Sequence, residues 1–382
     1  MRISRRTLLG RLAAGAAAAA AAPRVSVKAS GTTVGALAPE PIRSVKPIRL
    51  HRSENVHGPS PRVMKTLQEA AGRPPSRYPD EEVEALRHKI AGVHGVDPAQ
   101  VIIGCGSSEI VRMAVDAFAG PQRKILAALP TFELIHRYAR RAGAEVDAVL
   151  LTKEWSHDLS AMLERAHATG LVYIGNPNNP TGTLTRRQDL EEFLRRLPAD
   201  VVVLIDEAYH HYVGEAADYA SFIDRPVDHP RVVVTRTFSK IHGMAGLRVG
   251  YAVAAAQTAR TLDAHALSDG VSVTAARAAA TALDDADYVR MSVDWNADDR
   301  QEFLNQANAR MLRSIDSLTN FVMLNAGRPA GPVFDHFMKH DILLARPVPA
   351  LDSYIRVSLG TSDDMREFWR VWDLMPGGHM HG

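Results

Sequence analysis

The chain has 382 residues, 46% of them hydrophobic and 23% charged, which is enough apolar material for a large buried core. Its formal charge of +2 comes from the first 22 residues, which hold four arginines and no acid; without them 41 basic residues face 43 acidic ones, a net of −2, and this excludes the basic footprint of a nucleic-acid binder. A single cysteine, Cys105, excludes an internal disulfide.

Ser4-Arg5-Arg6-Thr7-Leu8-Leu9 is a twin-arginine pattern, followed by an apolar run and a small-residue cleavage site at Ala20-Ala21-Ala22. It predicts a signal segment over 1–22 that hands a folded protein to the twin-arginine export machinery. The expected destination is periplasmic or secreted, or cytoplasmic if the leader is not processed. The run is too short and too weakly hydrophobic for a stable membrane span. Residues 23–61 read as an aperiodic linker that becomes an N-terminal arm, His51-Arg52-Ser53-Glu54-Asn55-Val56-His57-Gly58.

An amphipathic helix is predicted over 62–71, then the turn Ser76-Arg77-Tyr78-Pro79-Asp80 and a second helix over 81–93. Val101 opens a strand that runs into Gly104-Cys105-Gly106-Ser107-Ser108-Glu109, a glycine turn at a helix start. Unpaired N–H groups there suit a phosphate, although many α/β turns look alike. Strands over 126–129, 145–151, 171–175 and 201–205 then alternate with helices over 133–142 and 186–196, as an α/β layer should. Asp206 stands at the carboxyl end of its strand, where open α/β sheets place ligands.

A strand over 231–235 leads to Thr237-Phe238-Ser239-Lys240, with Arg248 close behind in Gly246-Leu247-Arg248-Val249-Gly250-Tyr251. The lysine amine can form a Schiff base with a carbonyl cofactor, and the hydroxyls and guanidinium can hold that cofactor's phosphate. Gly243 and Gly246 are expected to allow a tight turn before the next strand. Residues 273–313 read as largely helical; strands over 320–324, 342–345 and 354–361, with a helix over 332–340, complete a smaller α+β domain. The expected division is a large domain over 62–258 and a small one over 259–377. Adjacent His210 and His211 do not face one point on a helix or strand, and no metal site is expected. No internal repeat, helix-turn-helix module or P-loop is present.

Four motifs in this order carry a resemblance: Asn176-Pro177-Asn178-Asn179-Pro180-Thr181-Gly182, the strand ending in Asp206-Glu207-Ala208-Tyr209, the turn to Lys240, and the segment around Arg248. The chain resembles the fold type I, pyridoxal 5'-phosphate-dependent aminotransferases of class I/II, in their histidinol-phosphate aminotransferase-like branch, from about residue 48 to 376. The resemblance implies a three-layer αβα domain whose mostly parallel sheet has one reversed strand. It implies Lys240 as Schiff-base lysine and proton carrier, Asp206 on the ring nitrogen, and Asn179 with Tyr209 on the 3'-oxygen. Phe132 would stack on the ring. Ser107, Ser108 and Glu109, mainly through backbone amides, would bind the phosphate with Thr237, Ser239 and Arg248. Tyr78 would reach the phosphate of the partner in a homodimer with shared active sites. Arg356 would clamp the substrate's carboxylate or phosphate, aided by Arg346, and the arm residues Asn55 and His57 would border the substrate.

The arm departs from the family's usual Asn-Glu-Asn-Pro: Ser53-Glu54-Asn55-Val56 stands there instead. The implied activity is transfer of an amino group between an L-amino acid, or a histidinol-phosphate-like amine, and a 2-oxo acid. An amino-acid oxidase, cyclase or eliminase on the same fold is one alternative. A non-catalytic pyridoxal-phosphate-binding protein is the other, although storage needs neither Asp206 nor Arg356.

Overall fold

The computed structural model describes residues 47–72, 76–214, 218–223 and 230–376. The expected signal segment, most of the linker and residues 377–382 lie outside these residues.

Seven strands form the main sheet, in the order Val101–Gly104, Gly250–Ala254, Val232–Thr237, Val202–Asp206, Thr169–Gly175, Lys124–Leu129, Val146–Leu150. All run parallel except Gly250–Ala254, which is antiparallel to both neighbours. Their near-continuous apolar sequences follow from burial on both faces. Side chains alternate between faces along a strand. Val172, Ile174, Val203 and Ile205 join one core with Leu86, Ile90 and Phe193. Leu171, Tyr173 and Leu204 join the opposite core with Ile110, Met113 and Ile135.

The helix Val273–Leu283 belongs by sequence to the smaller domain, yet Ala275, Ala276, Ala278, Ala279 and Ala282 pack into the core of the seven-stranded sheet. Small side chains let the helix lie close. The long helix Ala286–Ala309 ends four residues before Arg313, which begins a short strand rather than ending a helix as the charge pattern suggested.

A second sheet is antiparallel, in the order Tyr354–Ser358, Phe321–Asn325, Arg313–Ile315, and pairs Arg356 with Met323. Its core is aromatic: Phe337 and Phe368 stack at 4.7 Å, with Phe303, Trp369 and Trp372 around them. Each fully buried ring is worth about 1.5–3 kcal/mol of hydrophobic stabilisation. The arm enters as Ile48–Leu50, a strand parallel to Ile342–Leu344. The C-terminal helix Ser362–Asp373 carries Phe368, Trp369 and Trp372, and opens on a capping box between Thr361 and Asp364. No helix among the described residues is long and apolar enough to cross a membrane.

Candidate active site

One edge of the main sheet gathers the chemistry. Parallel strands deliver Gly104, Gly175, Asp206 and Thr237 to their carboxyl ends. The reversed strand begins at that edge, with Gly250 opposite both Gly104 and Thr237. Reversal therefore brings Arg248, two residues earlier, beside the turns that follow its two neighbours.

Asp206 is buried at 6% exposure. Its Oδ2 accepts the Tyr173 hydroxyl at 2.9 Å and its Oδ1 accepts the Ala208 N–H at 3.1 Å. Burial pushes its pKa up to about 6, against the pull of these donors and of Lys240. Lys240 Nζ lies 5.3 Å from the centre of the Tyr209 ring and donates to the carbonyls of Arg52 and Ser53, each at 2.9 Å. Tyr209 is buried and meets Phe321 edge-on at 5.2 Å.

The helix Ser107–Phe118 starts from Gly106 without a side-chain cap. Among the described residues no side chain caps its first N–H groups. Gly106 has φ +76, and a Cβ there would overlap the Arg248 guanidinium. Arg248 is itself left-handed, φ +58, a conformation that costs an ordinary residue about 1–2 kcal/mol. Its Nη1 donates to Ser239 Oγ at 3.2 Å and to the Ala245 carbonyl at 2.9 Å. Thr237 Oγ1 accepts the Ser239 N–H at 3.1 Å and so shapes the same turn. Ser107, Ser108, Ser239 and Arg248 bring their donors to the same strand ends, the kind of setting an anion favours.

Glu109 does not belong to that group. Its N–H already donates to the Gly106 carbonyl at 3.1 Å. Its carboxylate accepts from the Cys105 and Leu267 N–H groups, at 2.6 and 2.8 Å, and pairs with Arg112 at 3.0 Å. A buried charge of this kind needs every lone pair used, which makes it a brace for the turn.

Arg356 reaches the edge from the second sheet. It donates from Nη1 to Asn179 Oδ1 and from Nη2 to the His51 carbonyl, both at 2.6 Å, and lies over the Phe321 ring at 5.1 Å. Burial lowers its pKa from the usual arginine value. The loop before Asn179 is held by Asn178, which donates to the Pro130 carbonyl at 3.0 Å and accepts from Thr131 at 2.8 Å. Phe132, half-buried, packs at the same strand end.

The arm crosses between the two sheets. Asn55 donates to the Ile241 carbonyl at 2.9 Å, next to Lys240, and is thus spent on anchoring. Gly243, at φ +66, lies against the Gly58 carbonyl, where a Cβ would overlap; Gly246 faces open space, so only the first of the two expected glycines is required. His57, expected at the substrate, turns onto the helix Ala286–Ala309 instead. There its ring is 4.6 Å from Trp295 and 3.7 Å from Asp299 Oδ2, an aromatic and a charged partner that the arm alone does not offer. Arg346 is exposed and joins none of these hydrogen bonds. Tyr78 is 75% exposed.

Four residues of this site escaped the sequence reading. Tyr173 looked like one more buried strand residue. Ser358 Oγ accepts the Ser53 N–H at 2.8 Å, and Asn320 donates to the Ser53 and Glu54 carbonyls at 3.0 and 3.2 Å. His51 supplies only its carbonyl. The signal for Ser358 was its spacing, two residues past Arg356 on the same face of a strand.

The residues fit pyridoxal 5'-phosphate. A lysine amine, a buried carboxylate, an amide and a phenol for the 3'-oxygen, and an uncapped helix start with two serines and an arginine are all present at one edge. The Gly106 position, which any side chain would fill, keeps the cradle open.

Residues 45–371 match the family described as aminotransferase class I and II. The histidinol-phosphate aminotransferase 2 of Carboxydothermus hydrogenoformans is 37% identical over 82% of this chain and 86% of that protein. The histidinol-phosphate aminotransferase of Geobacillus thermodenitrificans is 35% identical over 83% of this chain and 86% of that one. The crystal structure of histidinol-phosphate aminotransferase from Sinorhizobium meliloti in complex with pyridoxal-5'-phosphate superposes with a TM-score of 0.80, at 28% identity, over 87% of this chain and 90% of that chain. With the fold, the cofactor-binding edge and these relatives in agreement, the chain belongs to the class I and II aminotransferases and is a pyridoxal 5'-phosphate-dependent aminotransferase.

Proposed function

We propose that the amino donor is a primary amine that also carries an anionic group, an L-α-amino acid or a histidinol-phosphate-like amine, and that a 2-oxo acid is the acceptor. The observation that carries this reading is Arg356, hydrogen-bonded to Asn179 at 2.6 Å and so tied to the edge that holds Lys240 and Asp206. A planar guanidinium at that place suits a carboxylate or a phosphate.

When bound, the cofactor supplies a carbonyl carbon for amines and an electron-accepting ring. The chain's own residues do the rest. The first amides of the helix Ser107–Phe118, with Ser239 and Arg248, hold the phosphate. Asp206 holds a proton on the ring nitrogen, Asn179 and Tyr209 orient the 3'-oxygen, and Phe132 covers the ring. Arg356 orients the substrate so that its Cα proton faces Lys240 Nζ, which takes and later returns it. Tyr209 and Phe321 exclude water from that side.

The working form on this reading is a homodimer, in which exposed Tyr78 reaches the partner's phosphate. Each protomer has a larger domain over 62–258 and a smaller one over 259–377, with the helices Ala256–Asp263 and Val273–Leu283 packed on the sheet of the larger. The twin-arginine segment sends the folded protein out of the cytoplasm; replacing Arg5 and Arg6 by lysines is expected to retain it inside. Light scattering tests the dimer.

The first test is an absorbance titration of the holoenzyme with L-amino acids and histidinol phosphate, with dissolved oxygen followed in parallel. Conversion of the cofactor to its amine form, reversed by a 2-oxo acid with oxygen flat, names the donor. Oxygen uptake, or product without the amine form, overturns the reading in favour of an oxidase or an eliminase.

A further inference from the structure

Tyr173 is an oddity in the core. It is 1% exposed and packs among apolar residues, where phenylalanine would fill the same space. Its hydroxyl meets one charged group, Asp206 Oδ2, at 2.9 Å. Register explains the meeting: Tyr173 lies opposite Leu204, and Asp206 is the next residue of that strand on the same face.

We propose that Tyr173 is a positioning residue for the cofactor's ring nitrogen, its hydroxyl holding Asp206 ionised and fixed in direction. The inference rests on the reading of Asp206 as the ring-nitrogen partner. Among the described residues Asp206 has two donors, Tyr173 and the Ala208 N–H. Lys240 favours its charge and Glu207 opposes it; Lys240 in turn lies 5.3 Å from the centre of the Tyr209 ring. Glu207 is offset by Arg236 at 3.1 Å, by Ser221 at 2.6 Å and by the Phe222 N–H at 2.9 Å, so its own charge is held locally. Burial and the neighbouring carboxylate push the Tyr173 phenol well above its usual range, so it remains a donor at every working pH. The hydroxyl keeps its own proton, and as a donor to Oδ2 it favours the anion over the neutral acid.

The consequence is a pH-dependent affinity. An ionised Asp206 is needed to hold a protonated ring nitrogen, so affinity falls as pH drops through about 6, where Asp206 takes its own proton. Without the Tyr173 hydroxyl that fall begins at higher pH.

The test measures the dissociation constant of pyridoxal 5'-phosphate from the cofactor-stripped protein between about pH 5.5 and 8.5. A parallel series uses an analogue with CH in place of the ring nitrogen. Tyr173→Phe is expected to weaken the natural cofactor by about 10- to 100-fold at neutral pH, the worth of one hydrogen bond to a charged group. It should shift the pH of the fall upward and leave the analogue's affinity within about twofold. In an Asp206→Asn background the same change should do nothing. Equal losses for both ligands, or a loss that persists in the Asp206→Asn background, would assign Tyr173 to packing and overturn the proposal. An unchanged affinity and pH profile would do the same. If the phenylalanine variant fails to fold, 3-fluorotyrosine at position 173, a stronger donor of nearly the same shape, should move the fall to lower pH; an unmoved or raised value overturns the proposal. Asp206→Asn alone separates the two ideas: if it does not distinguish cofactor from analogue, the reading of Asp206 fails whatever Tyr173 does.

Discussion

The two halves of the site are finished to different degrees. On the cofactor side, Asp206 has a donor on each oxygen, Thr237 accepts the Ser239 N–H, and Arg248 is bonded on both sides of its turn. On the substrate side the accounts are open. Among the described residues eight buried side-chain polar atoms lack a partner, and four of them, His51 Nδ1, Ser53 Oγ, Asn320 Oδ1 and Arg356 Nε, surround the arm and Arg356. Unpaired buried polar atoms cost about 1–3 kcal/mol each. Side-chain atoms of this kind gather where the second sheet and the arm meet; where the main sheet ends, the open groups are the backbone N–H groups of the uncapped helix start. Each half thus keeps hydrogen-bonding capacity, in backbone amides on the cofactor side and in side chains on the substrate side.

Lys240→Ala is the largest expected break. It should lower turnover by at least about 10⁴-fold and remove the absorbance band of the lysine-bound cofactor, because one amine serves both tasks. Arg356→Ala should act on the other half alone. Removing a buried charged partner costs about 2–5 kcal/mol, so KM should rise about a hundredfold or more while cofactor affinity stays within about threefold. A comparable loss of cofactor affinity would mean that the two halves are not separable.

Asn320→Ala sharpens the contrast further. It removes two hydrogen bonds to the arm, at Ser53 and Glu54; the Asn320 side chain has no hydrogen bond of its own to Lys240 or Asp206, although Lys240 shares the Ser53 carbonyl. KM should rise about tenfold with kcat nearly kept. A fall in kcat without a change in KM would place Asn320 with the cofactor half.

The smallest effect is on stability. His157 and His242 are buried neutral, and desolvation lowers each from 6.5 to about 4. Between those values the unfolded chain binds protons that the folded chain refuses, so stability falls as pH drops through this window. Each histidine should cost on the order of 2 kcal/mol at pH 5. His242→Gln should therefore flatten the acid side of the melting-temperature curve. A curve as steep as that of the native protein would show that this histidine does not carry the loss.

The cofactor half was legible because it is local. Its strands are continuous apolar runs, and each ends in a short motif of distinctive residues, such as Asn179-Pro180-Thr181-Gly182 or Thr237-Phe238-Ser239-Lys240. The reversed strand is set by tertiary pairing and leaves no mark in Val249-Gly250-Tyr251; the family resemblance supplied it. The helix Ser362–Asp373 was missed although Thr361 and Asp364 stand at capping-box spacing before an aromatic period. The helices Leu159–Glu164 and Ala256–Asp263 were missed as well, being short and weakly patterned. The substrate half was harder for a physical reason. Lys240 and Arg356 find carbonyls of His51, Arg52 and Ser53, and every residue type has a carbonyl. No side chain announces such a contact. Glu109 and His57 show the reverse error: residues with apt chemistry, claimed instead by Arg112 and by Asp299.

Those three carbonyls are successive along the chain. Consecutive Cα atoms stand about 3.8 Å apart across a trans peptide, so this short length of backbone works as a gauge between the two cations. Arg52 can change its side chain, which is exposed, and the spacing survives. Ser53 is more constrained, since it is fully buried and its φ of +52 favours glycine or asparagine. An inserted or deleted residue is another matter: it moves one carbonyl out of place by a full step and leaves Lys240 or Arg356 reaching for the wrong peptide. Length, more than composition, is the property this segment must keep.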